Sequence, residues 1–297
     1  MGNPFSKIDH NHQCKKRKKS DAFESIVSES SQHIIAINTN YFLPNDENEI
    51  LRLQLQHYLV RFAWESNFSS PMIQRLTEGA KVLDVGILEL ATDYPVSSFV
   101  GIDITPMYPT VVKPKNVKFQ IENILDELSS PNDTYDFVHI RFLSTAFTTD
   151  QWVNTVIPEL IRVCRPGGFI EFMESDSKLI NAGPTIEYIT ESLTSFMATK
   201  GMQGNIAPYL PSYLTQTKKL SGIHCENKSI PTGKWGGKLG DLGEQVMKLT
   251  FEVGKIPLSS YLKITHEKYD TLARSATREL NEYRPLLPTC RIWAEKL

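Results

Sequence analysis

The chain has 297 residues, enough for one large domain or two small ones around a substantial core. Lys and Arg number 32 against 34 Asp and Glu, a formal charge of -2, so no specific nucleic-acid partner is expected on global electrostatics. Cys14, Cys164, Cys225 and Cys290 form no CxxC pair, and no apolar run approaches the roughly 18 to 20 residues of a bilayer span. A disulfide framework, a zinc ribbon and a membrane span are thereby disfavoured, and a reducing, cytoplasmic setting is expected.

The first 30 residues read as a disordered basic tail, with residues 31–297 as the folded domain. MGNPFS sets Gly2 behind the initiator methionine and Ser6 four positions later, the pattern read by N-myristoylation. KKRKK at 15–19 follows. One acyl chain holds a protein on a membrane only marginally, and a polybasic patch is a usual second signal. Peripheral membrane contact is therefore one expectation, and a nuclear-import signal is the other reading of the same cluster. His10, His12 and Cys14 alternate in this solvated tail, and no metal site is expected from them.

Residues 21–48 are polar and serine-rich around a small apolar patch, IIAI at 34–37, and read as mostly irregular. From Glu47, ENEILRLQLQHYLVRFAWE predicts a helix with acids in its first turn and Ile50, Leu53, Leu59 and Phe62 on its docking stripe. Gln56, His57 and Tyr58 would then face either a ligand or solvent. After a helix-like stretch at 71–76 come KVLDVG, a helical fragment, SSFVGIDIT, NVKFQIENI, YDFVHIRFL, the helix-like TTDQWVNTVIPELIRVC and GGFIEFMES. Short Val, Ile and Phe runs alternating with helices predict an α/β fold with a parallel sheet. Beyond Asp176, helices are predicted near 184–200, 241–253 and 265–283. The strand-like GIHCENKSIPT and LLPTCRIWAEKL would pair as an antiparallel edge, and the glycine-rich 234–243 is expected to be a loop.

Open parallel sheets bind ligands outside the carboxyl ends of their strands, so the residues ending each strand carry the functional expectation. Asp103, beside Ile104, ends the second strand, where a carboxylate can accept two ribose hydroxyls; capping of the next turn is the structural alternative. Glu122, Asn123 and Ile124 end the third, where an amide and a backbone can read an adenine edge while Ile124 packs on its face. His139 and Arg141 end the fourth. Asp84 lies near the mouth of the first, able to orient the next loop or a charged cofactor. Asp136 begins the fourth strand at the opposite end of the sheet, where a structural role is expected. RPGGF at 165–169 ends a helix and reverses tightly into the fifth strand.

The ordered set KVLDVG, FVGIDIT, ENILDEL, YDFVHIRFL and RPGGFIEFMESD resembles the class I S-adenosylmethionine-dependent methyltransferases, and among them the fungal LaeA-type group. The match runs from about residue 47 onward and is strongest over 81–176. It implies a Rossmann-like, mostly parallel seven-stranded sheet with a C-terminal antiparallel hairpin and extra helices, with core 80–176 and helical additions and final strands 177–297. It further implies S-adenosylmethionine as cofactor, Asp103 on the ribose, Asn123 and Ile124 on the adenine, and Asp84 and Gly86 at the amino-acid end. Ile104 and Arg141 complete the cofactor-binding set. The methyl acceptor, a small molecule or a protein, is not identified by these motifs. A sulfonium leaving group is already activated, so no catalytic triad is expected; His139 and Glu174 are the candidate bases for a hydroxyl or amine acceptor.

The chain departs from the family where Gly86 runs directly into Ile87: relatives carry a glycine-rich GxGxG turn there, and about six residues are missing. A six-residue strand at roughly 3.3 Å per residue needs a return helix of about a dozen residues at 1.5 Å each, and 87–94 is shorter than that. A misplaced splice junction is the leading explanation, and an abnormally short crossover or abandonment of cofactor binding are the others. A catalytically inactive regulatory protein on the same fold is the competing function. A nicotinamide dehydrogenase is disfavoured, because it too requires a glycine-rich turn after its first strand.

Overall fold

The computed structural model describes residues 42–43, 46–85, 90–105 and 114–297. Gly2, the basic cluster at 15–19, the patch at 34–37 and Gly86 lie outside the described residues. Asn40–Leu297 form one compact unit.

Seven strands build one sheet: β1 (Lys81–Val85), β2 (Ser98–Asp103), β3 (Val117–Ile121), β4 (Tyr135–Arg141), β5 (Cys164–Ser175), β6 (Leu220–Pro231) and β7 (Leu286–Lys296). Their order is β3-β2-β1-β4-β5-β7-β6. The first five are parallel, and β7 inserts antiparallel to both β5 and β6. The expected α/β class and the antiparallel hairpin are thus present, with β7 inside the sheet and β6 on its edge. Strand β4 is buried along its whole length except at Arg141, as the near-continuous apolar run FVHI requires of a strand covered on both faces.

Helices cover both faces. On one, α1 (Glu47–Trp64) and α2 (Ile73–Glu78) lie with the short α3 (Leu90–Asp93) over Val82, Phe99, Phe137, Met173 and Leu287. On the other, α4 (Thr149–Gln151) runs through a π-helical turn (Trp152–Val156) into α5 (Ile157–Val163), burying Trp152 and Leu160 against Leu83, Ile140 and Phe172. Thr148 and Gln151 form a reciprocal capping box at its start. Pro158 stands two residues beyond the end of the π turn, and its missing N–H and bulky ring disfavour an ordinary i to i−4 ladder back to Asn154. Helices α6 (Pro184–Thr199), α7 (Leu210–Gln216), α8 (Gly237–Val253), α9 (Lys255–Leu262) and α10 (His266–Glu282) follow β5, and most of them share a separate apolar cluster around Ile186, Phe251 and Leu280.

Two expectations need correction. The stripe assigned to α1 does not form the docking face: Ile50 is 36% and Phe62 56% exposed, while Glu49, Arg52, Leu59, Val60 and Trp64 are buried. At 100° per residue Ile50 and Leu59 stand on opposite sides, and the buried place beside Leu59 goes to a Glu49–Arg52 pair joined by two 2.7 Å bonds. The supposed loop at 234–243 is a 3-10 turn followed by the first turns of α8. Its glycines are spacers: a Cβ on Gly240 would land on the Gly233 carbonyl oxygen, and one on Gly243 on that of Pro231. The short helices α7 and α9 are not anticipated by the sequence, because they carry no period long enough to announce them.

The RPGGF turn is as expected, with Gly167 at φ +72°, a left-handed conformation that favours glycine. Asp136 is structural, accepting the Lys81 N–H at 2.7 Å and pairing with Arg165 at 2.5 Å. Between Val85 and Ser98 only positions 86–97 carry the crossover, and its described helix is the single turn of α3.

Candidate functional site at the strand ends

The carboxyl ends of β1 to β5 bring together most of the residues named from the sequence. Asp84 and His139 face each other across the β1–β4 ladder. The Asp84 Oδ1 to His139 Nδ1 distance is 2.7 Å, and the residues are 1% and 4% exposed. Asp84 Oδ2 and His139 Nε2 are buried without a hydrogen-bond partner among the described residues. The acid expected to meet a cofactor is therefore committed to a neighbouring strand.

Asp103 lies at the open end of β2, half-buried. Its Oδ1 accepts the Thr105 N–H at 2.8 Å and the Thr105 hydroxyl at 3.0 Å, so it closes a turn while remaining at the mouth of the sheet. Burial raises its carboxyl above the usual range, and the bonds from Thr105 offset this only partly. Ile104 beside it is also half-buried. Past β3, Asn123 Oδ1 accepts the Leu125 N–H at 3.1 Å, and Ile124 is buried in the core cluster with Leu83 and Ile102. Glu122 is used locally, accepting from Gln120, the Ser129 hydroxyl and the Ser129 N–H.

Arg141 ends β4, where its Nη1 stands 2.5 Å from Nδ1 of His57 on α1. His57 is thus neither a solvent-facing residue nor an isolated ligand candidate, but the link between the helix and the strand mouth. Tyr58 beside it is largely exposed. On β5, Glu171 is fully buried and its carboxylate takes the N–H groups of Ser69 and Ser70 at 2.8 to 3.0 Å, fixing the segment between α1 and α2. Three positions on, Glu174 Oε1 accepts the Leu143 N–H at 2.9 Å while Oε2 has no partner. Burial pushes its pKa up to about 8 against the hydrogen bonds from Leu143 and Ser144. The sequence named Asp84, His139, Arg141 and Glu174 singly; the Asp84–His139 and Arg141–His57 pairings depend on strand and helix register, which no local motif records.

A cavity of about 280 Å³ opens beyond β5, lined by Asp176, Asn205, Pro211, Cys225, Asn227 and Cys290. A larger groove lies on α8 and α10, away from the strand ends. Among the described residues no group of His, Cys, Asp or Glu is arranged to hold a metal ion, and no helix is long and apolar enough to cross a membrane.

The strand order and the motifs along it resemble those of the class I S-adenosylmethionine-dependent methyltransferases. Within that class the chain resembles fungal proteins. It is 25% identical to methyltransferase str3 of Strobilurus tenacellus over 207 residues, which span 66% of this chain and 72% of that protein. It is also 25% identical to the secondary metabolism regulator laeA of Coprinopsis cinerea over 270 residues, covering 82% of this chain and 66% of the relative. No protein-family model matches the chain. Among solved structures, a cyclopropane-fatty-acyl-phospholipid synthase-like protein from Lactobacillus casei superposes with a TM-score of 0.52 at 14% identity, over 86% of this chain and 95% of that one, and so shares the fold.

Proposed function

We propose that the chain transfers a methyl group from S-adenosylmethionine to a small-molecule or protein acceptor, with a weakened hold on the cofactor. The observation that carries this reading is Asp103, an acid at the open carboxyl end of β2 in a sheet ordered 3-2-1-4-5-7-6. Asp103 and Ile104 would receive the ribose, Asn123 and Ile124 the adenine, and Arg141 would complete the cofactor-binding set. Bound S-adenosylmethionine supplies an activated methyl on a sulfonium. The protein's own work is to align the acceptor behind that methyl and exclude water. Glu174, with its pKa near 8, is suited to hold or take a proton at Oε2 when the acceptor is an amine or hydroxyl.

The residues present fit the two ends of the cofactor unequally. The nucleoside end has an acid and an amide at strand mouths; at the amino-acid end Asp84 is buried and bonded to His139. This second observation favours the competing proposal of a methyltransferase-fold regulator without turnover. A ligand that binds only the native state must raise its melting temperature, by about 2.7 kcal/mol of stability at a hundredfold excess over Kd. Scanning calorimetry with S-adenosylmethionine is expected to show that rise. No shift at millimolar cofactor favours the regulator, and a shift with NAD alone removes both. Sequencing the transcript across codons 86 and 87 tests the missing turn directly.

For the N-terminal segment we propose myristoylation at Gly2, with the basic cluster at 15–19 reinforcing contact with anionic membranes. Gly2→Ala should release the protein from sedimenting vesicles. Nuclear accumulation unaffected by Gly2→Ala selects the import-signal reading instead.

A further inference from the structure

The cavity of about 280 Å³ beyond β5 lies apart from the residues assigned to the cofactor, and strand register builds its walls. Cys290 on β7 stands opposite both Glu174 on β5 and Asn227 on β6, so the three share one row and one face of the sheet. The ladder continues past β5, where the Asp176 N–H donates to the Pro288 carbonyl at 3.0 Å and both residues join the cavity wall.

The polar end of the cavity is rich in acceptors. A carboxylate has about four acceptor sites. Those of Asp176 receive the Lys178 N–H at 2.8 Å and the Asn205 Nδ2 at 2.7 Å, which leaves capacity for further donors. Because a carboxylate cannot donate, the second bond also fixes the Asn205 amide. Nδ2 must face Asp176, and Oδ1 is left as an acceptor, buried and without a partner among the described residues. A buried acceptor without a donor is unfavourable, and a ligand that supplies one relieves it. No Lys or Arg lines the cavity, so the Asp176 charge is not compensated there. Burial pushes the Cys290 thiol up to about 12, which keeps it neutral in this wall. Much of the remaining surface is apolar, with Pro208, Pro211 and Pro288 presenting rings that carry no N–H.

We infer that this cavity binds a compact organic ammonium, an amine whose charged head is held by Asp176 and Asn205 and whose apolar body lies on the three prolines. Asp103 on β2 and Asp176 beyond β5 stand three strands apart in the sheet, about 14 Å at the usual spacing, so this ligand and one at Asp103 occupy different space. The site goes beyond the transfer proposed above and does not depend on it.

Cys225 is exposed and lines the same cavity, which makes its thiol a local reporter. The full chain, without cofactor and at neutral pH, is treated with N-ethylmaleimide, and modification of Cys225 is followed by peptide mass spectrometry. Tyramine, 4-propylphenol and 4-hydroxyphenylacetate, which share a ring and differ in charge, are the competitors. Tyramine is expected to protect Cys225 at a concentration at least about tenfold lower than 4-propylphenol, with the anion weakest. Asp176→Asn should bring tyramine and 4-propylphenol within about threefold of one another, with circular dichroism checking its fold; the wild-type series decides the matter if that variant fails to fold. Equal protection by the three compounds, protection led by the anion, or none from tyramine at about 10 mM would overturn the inference. With no cofactor in the experiment, each of those results leaves the methyltransferase reading intact.

Discussion

Among the described residues, His139 is the hydrogen-bonded neighbour of the buried Asp84 carboxylate, whose Oδ2 has no partner there, so removing His139 would leave that carboxylate unpaired. Breaking a buried polar pair on one side costs more than replacing both partners, because the survivor stays desolvated. His139→Ala is expected to lose about 2–4 kcal/mol in urea unfolding, and Asp84→Asn, which keeps a hydrogen-bonding side chain, about half as much. Equal small losses would mean that the pair is solvated. Glu174 gives a pH test. Its folded pKa of about 8 lies above the ordinary 4.5, so between those values the folded state holds a proton that the unfolded state has released. Stability from this group is therefore full below pH 4.5 and declines as pH rises to 8. Glu174→Gln should flatten that decline, leaving the variant about 2–4 kcal/mol more stable than the parent at pH 8 and close to it at pH 4.5. At this scale the sequence names acids well, since an Asp or Glu closing an apolar run is visible. It does not reveal which are sealed. Asp103 and Asp84 look alike as letters, yet one stands at an open mouth and the other bonds a histidine 55 positions away.

Among elements, α8 shows how composition misleads. Four glycines in KWGGKLGDLG signal a loop by propensity, but Gly240 and Gly243 let the helix rest directly on the carbonyls of Gly233 and Pro231, respectively, at and just beyond the end of β6. Gly240→Ala would improve helix propensity by nearly 1 kcal/mol in isolation. Here it should destabilise by about 3 kcal/mol or more, because the added carbon meets backbone that cannot rotate away. A stabilised variant in thermal melts would show that α8 does not sit where described. Helix α1 errs in the opposite sense: its apolar letters suggested a face, and the burial of Glu49 with Arg52 reassigned it. Strands were easier to read than helices. A run such as FVHI is buried on both sides and so is apolar apart from His139, which Asp84 engages, whereas short helices such as α7 and α9 draw their stability from contacts far along the chain.

For the molecule as a whole, the parallel half of the sheet was legible from alternating strands and helices, and the final hairpin from two late apolar runs. What no local signal supplied was the insertion of β7 between β5 and β6, because strand order is decided by long-range pairing. Deleting residues 286–297 should therefore remove two ladders at once, leaving β6 without a neighbour and β5 with an open edge. Loss of soluble, monomeric protein on size-exclusion chromatography is expected, and a truncated chain that elutes and melts like the parent would contradict the described pairing. The same insertion bears on how the protein is made. As the chain emerges from the ribosome, β1 to β5 can assemble in order, but β6 has no seat until the strand that separates it from β5 has been translated. The nascent chain must keep both waiting edges from foreign partners over the whole span of α8 to α10, so its need for chaperones should be concentrated at the end of synthesis.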